Sequence, residues 1–500
     1  MFKEIPDRIG AALLLLFLTK PVVDLFWSKF VMVGGVRIAL AHVVGVVIIL
    51  YFGFVLLRDT HGAPPLASLF KVFLGINAVS MCLGMFLNPY FTPVAIIDFS
   101  IRLLDSYLVF VAAYIAVIAH QYRDVSPFIF SVAVGAAIAV IVNVIAIKLG
   151  YGGTKADVGA LLGELGESQA IVVDSTTDLR ERGLYFDPGA LANVALYSLV
   201  FTVFAFHLVE RRRVLWFCAA AVVVACDLYL VYLSLSRSAM LLLAIFVIIY
   251  TLMVQRGKAR VGTIAVIGLV LVLGVGASYE RLLLRFEGDI AALKDVGSSD
   301  SGLVSNETSR LSDDISLGDF ERLGNNRGAE WAEALNEIVN RSGIELLLGN
   351  FQSTVAHSDY VDVLSRNGFV GLIVYVLLLI LLLLRAHSLA RAHDSADDRL
   401  IHYLAFTLVT MYVLYSFPFR PLSYTTSAWY MWAMIGVSFA LAQVSVRQPT
   451  RESQCEDQAA SFTAVRILRY PQGLSLARVG TRRGGPLADA KIQKTGLLRS

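Results

Sequence analysis

Apolar runs long enough to cross a bilayer recur along the first 446 residues, and they constrain the fold more than any other feature of the sequence. A transmembrane helix needs about 20 consecutive, mostly apolar residues. The chain has 57% hydrophobic and 16% charged residues and a mean hydropathy of +0.69, which is too apolar for an ordinary soluble protein. The sequence therefore predicts an all-α, polytopic membrane protein.

We predict about twelve transmembrane helices from the apolar runs. They cover residues 9–28, 36–57, 66–87, 97–119, 127–148, 188–208, 214–233, 238–254, 261–278, 367–385, 400–417 and 427–446. This divides the chain into helices 1 to 9 (1–278, with an exterior loop at 150–187), a large outer loop (279–366) and helices 10 to 12 (367–446). A basic tail (447–500) follows, and its polar composition predicts disorder.

Basic residues are distributed unevenly between the two sets of short loops. One set carries Arg58, Arg123, Arg211, Arg212, Arg213, Arg256, Lys258, Arg260, Arg385, Arg391 and Arg399. The other set carries Lys29, Arg37, Arg237 and Arg420. Because Lys and Arg in short loops favour the cytoplasmic side, both termini are predicted to be cytoplasmic and the large loop to be outside.

The sequence offers few signs of a bound metal, nucleotide or disulfide. Cys82, Cys218 and Cys226 lie inside apolar runs and Cys455 lies in the tail, so no disulfide is predicted. No zinc-ligand spacing and no glycine-rich phosphate loop occurs. We therefore predict no cofactor, no metal and no nucleic-acid partner. The first apolar run has no small-residue cleavage site after it and is predicted to be a retained span.

Ionisable residues inside predicted spans need a reason, because a charge at the bilayer centre costs roughly 2.5–3.5 kcal/mol. Lys20 and Asp24 are four residues apart and Arg102 and Asp105 three apart, so each pair can neutralise itself on one helix face. A structural pair and a ligand-binding role are both open for them. Asp227 has no local partner and is expected to face a polar interior.

Three arginines and one histidine are the candidate site residues at the predicted outer face. Arg182, Arg237 and Arg327 could each snorkel to lipid headgroups or bind phosphate oxygens in bidentate fashion. His357 is the one histidine in a predicted exterior loop. It could be incidental, or it could accept a hydroxyl proton, since a histidine titrates near neutral pH. Together, the three arginines would form an anion site.

Four short stretches between about residues 180 and 372 form a recognisable pattern: Arg182–Ala192, Ser234–Ala239, Arg327 with Trp331, and His357–Tyr360 with Asn367–Gly371. In these stretches the chain resembles the superfamily of O-antigen ligases and oligosaccharide repeat-unit (Wzy-like) polymerases. Two positions depart from the family pattern, because Gly189 and Ser358 stand where the family often has asparagine. The first half of the chain matches by hydropathy only.

The resemblance implies a membrane glycosyltransferase fold of the GT-C type in the bacterial inner membrane, with a periplasmic, metal-independent active site. The donor would be an oligosaccharide on undecaprenyl diphosphate. Arg237 and Arg327 would hold the diphosphate, with Arg182 as a further ligand. Arg327 and His357 would be catalytic, His357 as the base for the acceptor hydroxyl or as the residue that positions it.

Several functions are compatible with these features. The stretch Phe351–Tyr360 favours a polymerase over a ligase that uses a terminal acceptor such as lipid A core. The span number also fits an oligosaccharide-lipid flippase or another transporter, although no internal repeat is visible. A non-catalytic assembly partner in polysaccharide export is a third reading. Besides membrane lipids, chain-length regulator and flippase proteins of the same pathway are candidate partners.

Overall fold

A computed structural model describes residues 5–26, 30–33, 36–56, 62–88, 91, 96–120, 125–154, 181–185, 187–208, 214–234, 236–254, 327–352, 358–392, 395–423 and 425–446. Its helices are α1 (Ile5–Asp24), α2 (Leu40–Leu56), α3 (Ala67–Leu87), α4 (Arg102–His120), α5 (Ser126–Lys148), α6 (Pro188–Leu208), α7 (Val214–Ser234), α8 (Arg237–Ile249), α9 (Arg327–Val339), α10 (Gly343–Leu348), α11 (Asp359–Ala392), α12 (Ala396–Tyr415) and α13 (Thr425–Val446). Short π-helical segments precede α4 (Ile96–Ile101) and follow α8 (Tyr250–Val254), and a 3₁₀ turn (Pro421–Ser423) precedes α13.

Seven of the described helices are long and apolar enough to cross a membrane: α3, α4, α5, α6, α7, α11 and α13. The protein is therefore a mostly helical, multi-pass membrane protein. Helices α1, α2, α8 and α12 also fall on predicted spans, but they are shorter or carry more charge. The ninth predicted span (261–278), residues 279–326 of the large loop and the tail lie outside the described residues.

Two predicted spans begin differently in the structure. Residues 36–39 were predicted to open the second span. They instead form strand β2 (Val36–Ala39), which pairs antiparallel with β1 (Phe30–Val33), and the helix begins at Leu40. Valine is frequent in this hairpin, and its β-branched side chain suits extended backbone. The tenth span was predicted from residue 367, whereas α11 begins at Asp359 because its early charged residues are paired inside the protein.

A break in the backbone divides α11 near its start. Gly368 has φ 65° and ψ −170°, a conformation open to glycine alone. A Cβ atom at this position would also lie 2.4 Å from the backbone of Leu347 in α10. Gly368 therefore lets α10 pack directly on the kink, and it separates the first turns of α11 from the long apolar part.

The core is built around α13, which packs along α4. The Trp432 ring lies 4.6 Å from Phe70 and 5.9 Å from Phe110, centroid to centroid. Gly436 permits this close approach, since a Cβ there would lie 2.4 Å from the carbonyl oxygen of Phe110. Around this pair, α1, α5, α6 and α7 pack on one another in that order, and α11 packs between α3 and α12.

Candidate functional site

Ends of helices distant in sequence meet at one end of the bundle. The Tyr185 hydroxyl, just before α6, donates a hydrogen bond to the Pro21 carbonyl near the end of α1 (3.2 Å). The Asn193 amide of α6 donates to the Ser427 hydroxyl at the start of α13 (3.1 Å). We call this region the polar end. It lies at the helix ends that the distribution of basic residues predicts to be outside.

A buried ion pair, the Lys20 cluster, occupies the polar end. The Lys20 ammonium donates to the Asp24 carboxylate and to the Thr426 hydroxyl (3.3 Å), and Thr426 donates to Asp24. The Lys20 ammonium also lies 5.0 Å from the centroid of the Trp429 ring. The predicted pairing of Lys20 with Asp24 is thus confirmed, and it ties α1 to the first turn of α13.

The second predicted pair belongs to the same electrostatic neighbourhood. Asp105 of α4 is buried, and its carboxylate interacts electrostatically with both Lys20 and Arg102. Asp105 therefore places an ionisable group of α4 close to the Lys20 ammonium of α1. Their arrangement fits a structural role as well as a polar lining.

A second cluster forms where α11 begins, and we call it the Asp359 cluster. The Asp359 carboxylate accepts hydrogen bonds from the Leu422 backbone N–H (3.1 Å) and from the hydroxyls of Ser416 (3.3 Å) and Tyr375 (3.5 Å). The Asp359 N–H donates to the carbonyls of Ser416 and Phe419. These contacts fix the start of α11 against the end of α12.

One turn further along α11, Asp362 and Arg366 form a buried salt bridge (Nε to Oδ2, 3.0 Å). A guanidinium nitrogen of Arg420 lies 3.8 Å from the other Asp362 oxygen. The Arg366 guanidinium carbon is 5.0 Å from the Phe99 ring centroid and 5.5 Å from that of Phe351. Two guanidinium groups therefore share one carboxylate at the polar end.

The first turns of α6 connect the two clusters. The Tyr415 hydroxyl at the end of α12 donates to the Gly189 carbonyl (3.4 Å), and a Cβ on Gly189 would lie 2.7 Å from the Phe419 ring. Gly189 follows the start of α6, and Asn193 one turn later reaches Ser427 beside the Lys20 cluster. Both clusters thus lie at the same end of the bundle.

Arg182 is the one predicted site residue whose side-chain contacts the structure describes. It lies in β4 (Glu181–Gly183), which pairs with β3 (Gly153–Thr154). Its Nε donates to the Thr154 carbonyl (2.9 Å) and its Nη1 to the Tyr185 carbonyl (2.8 Å). These bonds shape the turn into α6. Burial and the nearby Asp24 carboxylate raise the pKa of Tyr185 well above its ordinary value, so Tyr185 is a neutral donor.

Arg237 is the first residue of α8, and the Ser236 hydroxyl caps this helix by accepting from the Ala239 N–H (3.4 Å). Ala239 is buried in an apolar cluster that also contains Leu25 and Tyr185. The backbone at Arg237 therefore starts a helix at the polar end. The prediction that its guanidinium binds diphosphate stays a prediction.

Arg327 is the first residue of α9, and this helix packs Ala334 and Ile338 against Val361 and Leu364 of α11. The prediction for its side chain is likewise untested. His357, the predicted base, lies outside the described residues. The described chain resumes one residue later, at Ser358, whose hydroxyl donates to the Ser416 carbonyl (3.1 Å).

Helices α9 and α10 are held on α11 by a polar network around Arg341. Its guanidinium donates to the Ser365 carbonyl (2.6 Å) and to the Ser365 hydroxyl (2.9 Å). Burial lowers the pKa of Arg341, and the neighbouring Glu337 opposes this shift. The Ser365 hydroxyl donates in turn to the Gln352 carbonyl (2.9 Å). Helices α9 and α10 thus have a defined position near the Asp359 cluster.

Asp227 is fully buried within α7 and faces α6. Neither carboxylate oxygen has a hydrogen-bond partner among the described residues, and the Ser198 hydroxyl lies beside it outside hydrogen-bond geometry. Among the described residues, the Ser198 hydroxyl is a polar group beside the buried Asp227 carboxyl.

Sequence spacing could have found part of what the prediction missed. Asp362 and Arg366 are four residues apart, as Lys20 and Asp24 are, but the predicted span began too late to include them. Arg420 had no such signal, because its partner is 58 residues away. Among the described residues, no group of three or more His, Cys, Asp or Glu side chains could hold a metal ion.

No protein-family model matches the chain, and no curated protein matches it. The fold therefore defines the class, a multi-pass helical membrane protein. The likeness to glycan polymerases and ligases depends on the four short stretches alone.

Proposed function

We propose that the protein polymerises lipid-linked oligosaccharide repeat units in surface-polysaccharide or exopolysaccharide synthesis. It would work in a bacterial inner membrane, as a twelve-span, GT-C-like enzyme with cytoplasmic termini and an active site on the outer face. The substrate would be an oligosaccharide on undecaprenyl diphosphate. Chain-length regulator and flippase proteins of the pathway would be partners.

One observation carries the proposal. Three of the four motif positions stand where elements begin or turn: Arg182 in β4 and Arg237 at the start of α8, both near the polar end, and Arg327 at the start of α9, which packs on α11. Free N–H groups and the helix dipole make a helix N-terminus favourable for anions, and an arginine there adds a full charge. These positions come from distant parts of the chain.

In the proposed reaction, the acceptor hydroxyl attacks the anomeric carbon of the donor sugar. The bond between that carbon and the diphosphate oxygen breaks, and undecaprenyl diphosphate leaves with the bonding electrons. His357 takes the proton of the attacking hydroxyl. Because negative charge grows on the leaving diphosphate, guanidinium groups of Arg237 and Arg327 would stabilise the transition state.

The buried clusters would support this site indirectly. Asp359 is two residues after His357 in the sequence, and its contacts with α12 and the following turn restrain the chain there. The Arg341 network likewise restrains the segment that begins with α9. A positioned catalytic group needs such restraint, because small displacements reduce rates strongly.

The test is polymerisation by purified protein in nanodiscs supplied with undecaprenyl-diphosphate oligosaccharide. Replacing Arg237, Arg327 or His357 by alanine should each lower turnover by about 10²–10³-fold, the usual effect of losing one transition-state donor or base. Arg385→Ala is the matched control, because Arg385 is exposed at the opposite end of α11. Wild-type turnover by His357→Ala protein would refute the assigned base.

Glycan analysis of a deletion strain separates polymerase from ligase. Loss of a polymerase leaves single repeat units on the final acceptor, whereas loss of a ligase leaves long chains on the lipid carrier. If the purified protein moves lipid-linked oligosaccharide across vesicles without forming a glycosidic bond, a carrier function replaces the proposal.

A further inference from the structure

We propose that α10 rests on the bilayer with Ile344 and Leu347 in contact with lipid acyl chains. The inference does not depend on the proposed reaction. Both residues belong to the segment 279–366, which is predicted from its sequence to be a large loop outside the membrane. In the structure, however, their apolar side chains are exposed. They lie beside α3 and α11, two helices that are apolar and long enough to span a bilayer.

The apolar side of α10 is open. Ile344 is 53% exposed and Leu347 55% exposed, although both belong to a segment that is otherwise docked on the protein. On the other side, Leu346 packs against the apolar cluster of Ala334 and Ile338. Two large aliphatic side chains are thus exposed together on one short helix.

Contacts with α3 and α11 fix where this open side lies. The Ser80 hydroxyl of α3 donates a hydrogen bond to the Leu348 carbonyl at the end of α10. One turn further along α3, a Cβ on Gly84 would lie 2.6 Å from the Asn350 carbonyl oxygen. The backbone of Leu347 lies against the Gly368 kink of α11. The α10 helix therefore sits against the last turns of α3 and the beginning of the apolar part of α11.

Both neighbours of α10 also carry exposed apolar residues near their contacts with it. Phe86, at the end of α3, is 86% exposed, and Phe369, next to the kink of α11, is 42% exposed. Ile373 is exposed one turn further along α11. In a spanning helix such faces contact lipid, because the bilayer core has no water to favour polar residues. Because α10 contacts α3 at Ser80 and Gly84, before the end of that helix, its exposed side chains lie at the level of these lipid-facing residues, and acyl chains are their natural occupant.

The polar groups of α10 are satisfied without lipid. The Glu345 carboxylate accepts hydrogen bonds from the Ser342 hydroxyl (2.7 Å) and the Asn350 amide (3.3 Å). The neighbouring Arg341 guanidinium is bound to Ser365. Polar groups on one side and exposed aliphatic groups on the other describe an element at a membrane–water boundary.

Nitroxide labelling of single cysteines tests this placement. Alanine would first replace Cys82, Cys218, Cys226 and Cys455. Cysteines at Ile344 and Leu347 would then be labelled in nanodiscs of phosphatidylethanolamine and phosphatidylglycerol. Collisions of the label with oxygen, which concentrates in acyl chains, are compared with collisions with a water-soluble nickel chelate.

Two further sites calibrate the result: Phe86→Cys as the lipid-facing reference and Asn340→Cys as an exposed polar control close to α10. We expect the oxygen-to-nickel ratio at Ile344 and Leu347 to match Phe86 and to be several-fold above Asn340. A ratio equal to that at Asn340 at both sites overturns the proposal. Dipolar broadening between labels on two protomers, without a preference of the label for oxygen, also overturns the proposal, because a second copy would then cover α10. The cysteines at Ile344 and Leu347 are measured independently, so if one variant fails to fold, the other still decides the test.

Discussion

Lys20 shows how an ionisable side chain is accommodated inside this bundle. It is 1% exposed, and its ammonium group is surrounded by the Asp24 carboxylate, the Thr426 hydroxyl and the Trp429 ring. Burial removes hydration from both charges, and their mutual attraction offsets that cost only while both partners are present. The pair therefore specifies how α1 meets α13 more than it adds net stability.

Removing one partner of this pair should cost more than removing both. We expect Lys20→Met to lower the free energy of unfolding by about 2–3 kcal/mol, below the ~3–5 for fully buried pairs because the Asp24 side chain keeps 19% exposure. The double variant Lys20→Met with Asp24→Leu should recover much of the loss. Equilibrium unfolding in mixed micelles measures both.

The control for this change is Lys71→Met, which removes the same charge from an exposed position on α3. If Lys20→Met lowers the free energy of unfolding no more than Lys71→Met does, the buried pair is not required for packing.

At the scale of single elements, the kink in α11 is the feature on which the docking of α10 depends. Gly368 has a backbone conformation open to glycine alone, and it lies directly against the backbone of Leu347. We expect Gly368→Ala to destabilise the protein by about 3 kcal/mol or more, since ~1–3 kcal/mol of backbone strain adds to a clash with α10. Hydrogen exchange should then accelerate over residues 343–350.

Gly75→Ala on α3 is the matched comparison, because a Cβ there meets no atom within 4 Å. It should leave exchange in α10 unchanged. Equal protection of residues 343–350 in both variants would show that α10 docks without the kink.

The start of α10 should respond to pH. A hydrogen bond from the Ser342 hydroxyl, together with the Ser342 backbone N–H and the Asn350 amide, lowers the pKa of Glu345 below its ordinary value of 4.5. A carboxyl whose pKa is lower in the folded protein stabilises it above the unfolded value and loses that contribution as the pH falls through the folded value. Protection of the first α10 amides should therefore fall below about pH 4.5.

Glu345→Gln checks the cause of this response, because glutamine keeps the capping contacts but does not titrate. Protection factors in that variant should be nearly independent of pH between about pH 6 and pH 3, the range in which a glutamate titrates. A pH response identical to that of the wild type would assign it to another group.

At the scale of the whole molecule, the positions of most helices followed from the sequence because apolar length is a local property. The position of α7 is one example, predicted at 214–233 and found at Val214–Ser234. The Lys20–Asp24 pair was predicted, but the long-range contacts of the polar-end clusters were not, because Lys20 meets Thr426 across 406 residues and Arg420 meets Asp362 across 58. Such contacts have no spacing rule within one helix. Likewise, the hairpin before α2 consists mostly of apolar residues, which suit a strand or a helix.

Burial also separates helices that hydropathy alone treats alike. The predicted spans include α7, in which few residues are buried, and α13, which is almost entirely buried. The α13 helix carries buried hydroxyls and the indoles of Trp429 and Trp432, whereas α7 presents aliphatic and aromatic side chains outward. Polar groups are tolerated where protein surrounds them, and lipid-facing surfaces have to be apolar. The sequence of a span thus indicates its neighbours as well as its presence.

The orientation of the whole bundle is the last prediction, and it decides on which side the polar end lies. Cysteines at Asn340 and Ser395, in the background without native cysteines, stand on exposed segments near opposite ends of α11. Because basic loops favour the cytoplasm, a membrane-impermeant maleimide should label Asn340→Cys in intact spheroplasts and Ser395→Cys only after permeabilisation. The reverse pattern would turn the polar end toward the cytosol, where a diphosphate-linked glycan delivered to the outer face could not reach Arg237 or Arg327.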